Sequence, residues 1–326
     1  MKYYDVYNGD ADGICALHQL RLANPVESQR ITGVKRDISL LQQVQAQSHI
    51  QAGDKVTVLD ISLDKNREPL VALLQQQVEV IYFDHHFPGD IPESPNLEVH
   101  INTDANVCSS LLVNEYLDGQ YLPWAVTAAY GDNLFSAAET AAAPLDLSHD
   151  QLETLKLLGT CINYNGYGAR LDDLIFHPDD LYQLIHPYAE PFDFMHNEPG
   201  YEKLKQGYLD DLQQARNLRA ELEDATHALY VLPAEKWARR VSGVYANELA
   251  QNYPERAHAM LTHIENDDAY VVSVRAPLSN KTGADELCRQ FETGGGRKAA
   301  AGINRLPQDE FDRFTSLFKQ SFTATS

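Results

Sequence analysis

The residues of this chain best suited to chemistry are carboxylates and imidazoles gathered in short clusters. Asn8-Gly9-Asp10-Ala11-Asp12-Gly13 sets two acids two residues apart, Val58-Leu59-Asp60-Ile61-Ser62 carries a third, and Tyr82-Phe83-Asp84-His85-His86-Phe87 joins an acid to two histidines. A further acid, Asp132, stands in Ala129-Tyr130-Gly131-Asp132-Asn133. Taken singly, each has a plain structural explanation: Asp12 as a helix cap, Asp60 as a carboxylate at a strand end, one histidine as a satisfied core residue. Taken together, Asp10, Asp12, Asp60, Asp132 and His85 are a donor set without thiolates, which suits Mn²⁺ or Mg²⁺. Acids packed this closely repel unless divalent cations neutralise them. Two such ions about 4 Å apart can activate water and stabilise the entering and leaving oxygens of an in-line displacement at phosphorus.

These clusters can meet only if their strands share one edge of a sheet. Short β-branched and aromatic runs at 3–7, 31–34, 56–61, 78–83 and 97–101 alternate with helix-period segments at 13–22, 38–47, 67–76 and 107–117. That is the pattern of a parallel sheet with crossover helices, an α/β fold. Right-handed crossovers are expected to set consecutive strands side by side with their carboxyl ends on one edge, where open α/β folds bind ligands. Residues 122–185 read as a helical layer containing Asp132, and 186–200, with three prolines among aromatics, as an ordered connection. A charged helix is expected over 201–224. The strand and helix alternation then resumes at 228–232, 245–252, 257–264 and 269–275, followed by 287–291, a glycine triplet and 309–319. The expected organisation is a catalytic domain over 1–200, a connecting helix over 201–225 and a smaller mixed α/β domain over 226–326.

The order D-x-D-G, strand-end Asp, Asp-His-His and later Gly-Asp resembles the four motifs of the DHH phosphoesterase family. Thr293-Gly294-Gly295-Gly296-Arg297-Lys298-Ala299-Ala300-Ala301-Gly302, with Ser273-Val274-Arg275 before it, is similar to the glycine-rich signature and S-x-R strand of the DHH-associated C-terminal domain. The resemblance implies two ions per site. Asp10 would bind the first, Asp12, His85 and Asp132 the second, and Asp60 both. It also implies that Asp84 orients its neighbours and that His86 faces the scissile phosphate. In the C-terminal region Arg275, Gly294, Gly295, Gly296, Arg297 and Lys298 would meet substrate, the bare backbone admitting a phosphate and the cations supplying charge. Two positions depart from the family pattern: Arg297 stands where most members have His, and Asn8 where a charged or imidazole ligand is usual.

Composition narrows the substrate. With 47 acidic and 26 basic residues the net charge is −21, which argues against a long nucleic-acid duplex, since gripping one takes a basic stripe. Among the activities that the family resemblance implies, the expected one is cleavage of a short oligonucleotide or linear dinucleotide to mononucleotides. The alternatives are a cyclic dinucleotide, or a nucleotide-binding sensor with weakened catalysis, which the Asn8 departure motivates. Cys15, Cys108, Cys161 and Cys288 are too scattered for a zinc knuckle or disulfide framework. Neither a signal-peptide core nor a run of about 18 apolar residues occurs, and the expected location is the cytoplasm, with no membrane partner.

Overall fold

A computed structural model describes residues 1–47 and 49–322. The chain divides into two compact units, Met1–Gly207 and the remainder from Tyr208.

The first unit is built on five parallel strands, β1 (Tyr3–Tyr7), β2 (Gln29–Ile31), β3 (Lys55–Leu59), β4 (Glu79–Asp84) and β5 (Leu97–Ile101), in the order β2-β1-β3-β4-β5. Helices α1 (Ala11–Ala23), α2 (Leu41–Gln45), α3 (Arg67–Gln75) and α4 (Ser109–Tyr116) alternate with them. Then come α5 (Leu122–Gly131), α6 (Phe135–Ala142), α7 (His149–Asn165), α8 (Pro178–Ile185) and α9 (Pro191–Asn197). Helix α10 (Pro199–Arg216) carries the chain across the boundary between the units. The parallel α/β architecture expected from the sequence is present.

Central strands of such a sheet are covered on both faces and read as nearly continuous apolar runs. Tyr4, Val6, Val58, Val80 and Tyr82 are accordingly buried, one face packing on Leu41 and Val44 of α2 and Leu70 and Leu73 of α3. Helix α1 is buried from Ala11 to Arg21. Its small and apolar residues therefore show no one-sided stripe, as expected of a helix enclosed all round.

Three details differ from the sequence reading. The second strand ends at Ile31, because beyond it the backbone donors leave the ladder: Val34 N–H bonds Asp37 Oδ2 at 3.2 Å and Lys35 N–H bonds the Gly166 carbonyl at 2.8 Å. Helix α2 is shorter than 38–47, with the Leu41 N–H taken by Asn66 Oδ1 at 3.1 Å. Consecutive strands are not all neighbours either. β2 lies outside β1, and the chain returns to set β3 on the other side of β1. This reversal between β1 and β3 is a topological switch point, the place where loops diverge and open a crevice beyond the strand ends.

The second unit holds a mixed sheet ordered β10-β11-β9-β8-β7-β6. Its strands are β6 (Leu222–Glu223), β7 (His227–Leu232), β8 (Ala257–His263), β9 (Ala269–Arg275), β10 (Gly294–Arg297) and β11 (Ala300–Pro307). β7 and β8 run parallel, joined through helix α11 (Lys236–Asn252), and the other described pairs run antiparallel. Leu229, Leu261, Val272 and Ile303 form one core with residues of helices α12 (Ala284–Cys288) and α13 (Phe311–Ser321), including Leu287, Phe314 and Phe318.

Candidate metal centre

The acids predicted to act together converge at the carboxyl ends of β1, β3 and β4. Asp10 caps α1, its Oδ1 accepting from the backbone N–H of Asp12 at 3.0 Å and of Gly13 at 3.1 Å. Asp12, fully buried, turns toward α4 and accepts from the backbone N–H groups of Ser109 and Ser110, each at 2.7 Å. The cap expected from its spacing is thus made by Asp10 on α1, while Asp12 takes the first donors of a different helix.

Asp60 follows β3 with φ of 56°, a left-handed conformation that Asp tolerates better than most residues and that recurs at functional sites. Its Oδ1 accepts from Ser109 Oγ at 3.3 Å and lies 3.3 Å from His85 Nε2. The same His85 nitrogen is 3.8 Å from Asp132 Oδ2, at the end of α5. Asp60, His85 and His86 each offer a ligand atom within 4.8 Å of the others, a spacing that fits one metal ion. Asp84 holds the histidines in place. Its Oδ1 accepts from the His85 N–H at 2.9 Å, the His86 N–H at 3.2 Å and His86 Nδ1 at 2.7 Å, while Oδ2 accepts from the Leu63 N–H at 3.3 Å. A carboxylate behind an imidazole fixes which ring nitrogen faces outward, here Nε2 of His86.

A cation absent from the sequence reading stands at the other end of the cluster. Lys35 Nζ lies 2.5 Å from Asp10 Oδ2, 2.9 Å from Asn163 Oδ1 and 3.3 Å from Asp132 Oδ1, with its side chain 28% exposed. Burial pulls the ammonium down, but Asp10, Tyr167 and Asp132 hold it well above its ordinary range, so it is charged. Burial works to raise the Asp10 carboxyl, yet Lys35 keeps it below the usual range. At the opposite end, burial and the charges of Asp12, Asp10 and Asp132 push Asp60 well above it. The donor set therefore still calls for positive charge near Asp60 and His85.

Asn8 is buried; its Nδ2 donates to the Lys35 carbonyl at 3.2 Å, and its Oδ1 has no hydrogen-bond partner among the described residues. Lys35, Ser109, Ser110 and Asn163 were not singled out by the sequence reading. Lys35 follows the second strand on the same sheet edge as the acids, and a search for cations at strand ends would have found it.

Among solved structures, the exonuclease RecJ bound to manganese superposes with a TM-score of 0.64 at 16% identity, over 98% of this chain and 89% of that one. RecJ from Thermus thermophilus, in complex with Mn²⁺, gives the same TM-score and identity over 98% of this chain, which spans about half (51%) of that protein. The pGpG-specific phosphodiesterase PggH from Vibrio cholerae matches at 0.60 and 16% identity, over 98% of each chain. The fold is that of the DHH phosphoesterases. No family model matches the chain, and no curated protein matches it in sequence.

In the second unit of this DHH fold the glycine-rich segment forms β10. A Cβ on Gly294 would fall 1.7 Å from the Cys288 carbonyl oxygen, and Gly296 has φ of 137°, so packing and backbone demand both. Gly295 faces open space. Arg297 pairs with Ala300, and Ala300 with Arg275, across three antiparallel strands. Directly paired residues share a sheet face, so Arg297 and Arg275 flank Ala300 on one surface. Arg275 is braced by Asn247 Oδ1 at 2.7 Å and Ser273 Oγ at 2.9 Å, while Arg297 and Lys298 are exposed.

Proposed function

We propose that the chain is a divalent-metal-dependent phosphodiesterase that cuts short oligonucleotides or linear dinucleotides to mononucleotides. The observation carrying this reading is the grouping of Asp60, His85 and His86 within reach of one ion, in a carboxylate cluster beyond the strands that flank a topological switch point. A likeness in fold to RecJ and to a phosphodiesterase specific for pGpG supports it. When bound, Mn²⁺ or Mg²⁺ would supply Lewis-acid stabilisation of a phosphoryl oxygen and an activated water.

The chain's own residues would do the rest. Asp60 and His85 would hold the ion, with Asp132 and Asp12 at the edge of the site. Asp84 would fix the His86 ring so that Nε2 meets the scissile phosphate. Arg275, Arg297, Lys298 and the open backbone at Gly295 would bind substrate phosphate, the planar guanidinium fork matching two anionic oxygens at once. The acidic balance of the chain favours a small substrate with few phosphates over a long strand. Four buried free cysteines agree with the reduced, cytoplasmic setting expected from the sequence, and no helix among the described residues is long and apolar enough to cross a membrane.

Incubation with Mn²⁺ and a panel of linear dinucleotides, cyclic dinucleotides, longer single strands and pyrophosphate, resolved by chromatography, tests the reading. Mononucleotides released fastest from the linear dinucleotide or a short oligonucleotide are expected. Preference for cyclic substrate would reassign the substrate, and binding without turnover of any member would make the protein a sensor.

A further inference from the structure

We infer that Lys35 takes the place of the first divalent ion, so that the site holds one ion, at Asp60 and His85, instead of two. This rests on the metal-dependent reading above and concerns how that site is charged.

The lysine is built into the site from both sides of its backbone. Its N–H donates to the Gly166 carbonyl at 2.8 Å, and its carbonyl accepts from Asn8 Nδ2 at 3.2 Å. The loop before it presses against the first acidic motif so tightly that a Cβ on Gly9 would lie 2.0 Å from the Gly33 carbonyl oxygen. An ammonium has three N–H donors, and this one has three acceptors, Asp10 Oδ2, Asn163 Oδ1 and Asp132 Oδ1, at 2.5, 2.9 and 3.3 Å. Its ammonium also lies over the Tyr167 ring, 5.8 Å from the centroid. A divalent ion on Asp10 would need the oxygens that the ammonium now engages, and would sit against a like charge in a mostly buried site.

The other half of the cluster has no such cation. Among the described residues, no Lys or Arg forms an ion pair with Asp60, whose Oδ1 accepts from Ser109 Oγ and lies 3.3 Å from His85 Nε2, and whose carboxyl also meets that of Asp10. Positive charge is therefore supplied by the chain at one end and left to a metal at the other. Asn8 fits the same scheme, because the residue standing where the family places a ligand here holds the Lys35 carbonyl. The rival arrangement has Lys35 withdraw and the unpartnered Asn8 Oδ1 join Asp10 around a second ion.

Metal counting on the full chain separates the two. The protein is stripped with chelator, titrated with Mn²⁺ alone, and bound ion is measured by equilibrium dialysis and by the electron paramagnetic resonance of spin-coupled pairs. One tight ion per wild-type chain without a coupled signal is expected. Lys35→Met should gain a second ion and the coupled signal, and Lys35→Arg, which keeps the charge, should stay at one. Two ions in the wild type, or a Lys35→Met protein of native circular dichroism that still binds one, would overturn the inference while leaving metal-dependent hydrolysis standing. A wild-type chain that binds no Mn²⁺ would remove both readings.

Discussion

Asp84 accepts a hydrogen bond from His86 Nδ1 at 2.7 Å and, with the same oxygen, from the backbone N–H of both histidines. One carboxylate thus sets the ring orientation of His86 and the backbone from which His85 projects. Asp84→Ala should weaken Mn²⁺ binding by about 10–100-fold, the usual cost of losing a partner behind a metal ligand. Isothermal titration of the stripped protein measures this. Unchanged affinity would mean that packing alone positions the histidines.

Hydrolysis should stop when chelator removes the metal and should return on adding Mn²⁺ or Mg²⁺. Asp60→Asn or His85→Ala should reduce kcat to near background with the fold intact, because neither an amide nor water replaces the lost donor. Far-ultraviolet circular dichroism beside a single-turnover assay checks both parts. A chelator-resistant rate would end the metal-dependent reading.

Arg297→Ala is expected to act on binding. Loss of one charge-assisted phosphate contact costs about 1.5–3 kcal/mol, which corresponds to a KM raised roughly 10–150-fold with kcat little changed if the contact exists before the transition state. Steady-state kinetics on the preferred substrate would show it. An unchanged KM would exclude Arg297 from the binding surface.

Affinity should level off within a few nucleotides and depend weakly on salt, since a chain of net charge −21 offers few phosphate contacts away from its site. Binding isotherms over oligonucleotides of increasing length, at two ionic strengths, test this. Affinity that keeps rising to twenty nucleotides would point to a single-strand exonuclease instead.

Acid stability should depend on His18, which is fully buried, lies edge-on to Trp124 with ring centroids 4.7 Å apart, and donates from Nε2 to the Tyr188 carbonyl at 2.8 Å. Burial lowers its pKa to about 3 in the folded chain from 6.5. Below the higher value the unfolded state binds the extra proton. The stability contributed by neutral His18 is therefore complete above about pH 6.5 and is lost as pH falls toward 3, at up to about 1.4 kcal/mol per pH unit. Urea midpoints compared at pH 7 and 5 should fall less for His18→Gln than for the wild type.

The sequence by itself determined that acids and histidines stand at or near strand ends, and that such a donor set suits a divalent metal. Strand period and side-chain type are local properties, and 97–101 is the fifth strand as read, while Asp10, Asp60 and Asp84 to His86 stand at or just beyond strand ends. What the tertiary structure decided was every relationship set by packing between distant segments. Lys35 meets Asp10 across 25 positions and Asn163 across 128, and Asp12 meets Ser109 across 97. The position of β2 outside β1 brings the Lys35 loop to the acids. A lysine just past a predicted strand looks solvated in sequence. Only the loop's hydrogen bonds to Gly166 and Asn8 turn it into the cluster and make it a counter-charge.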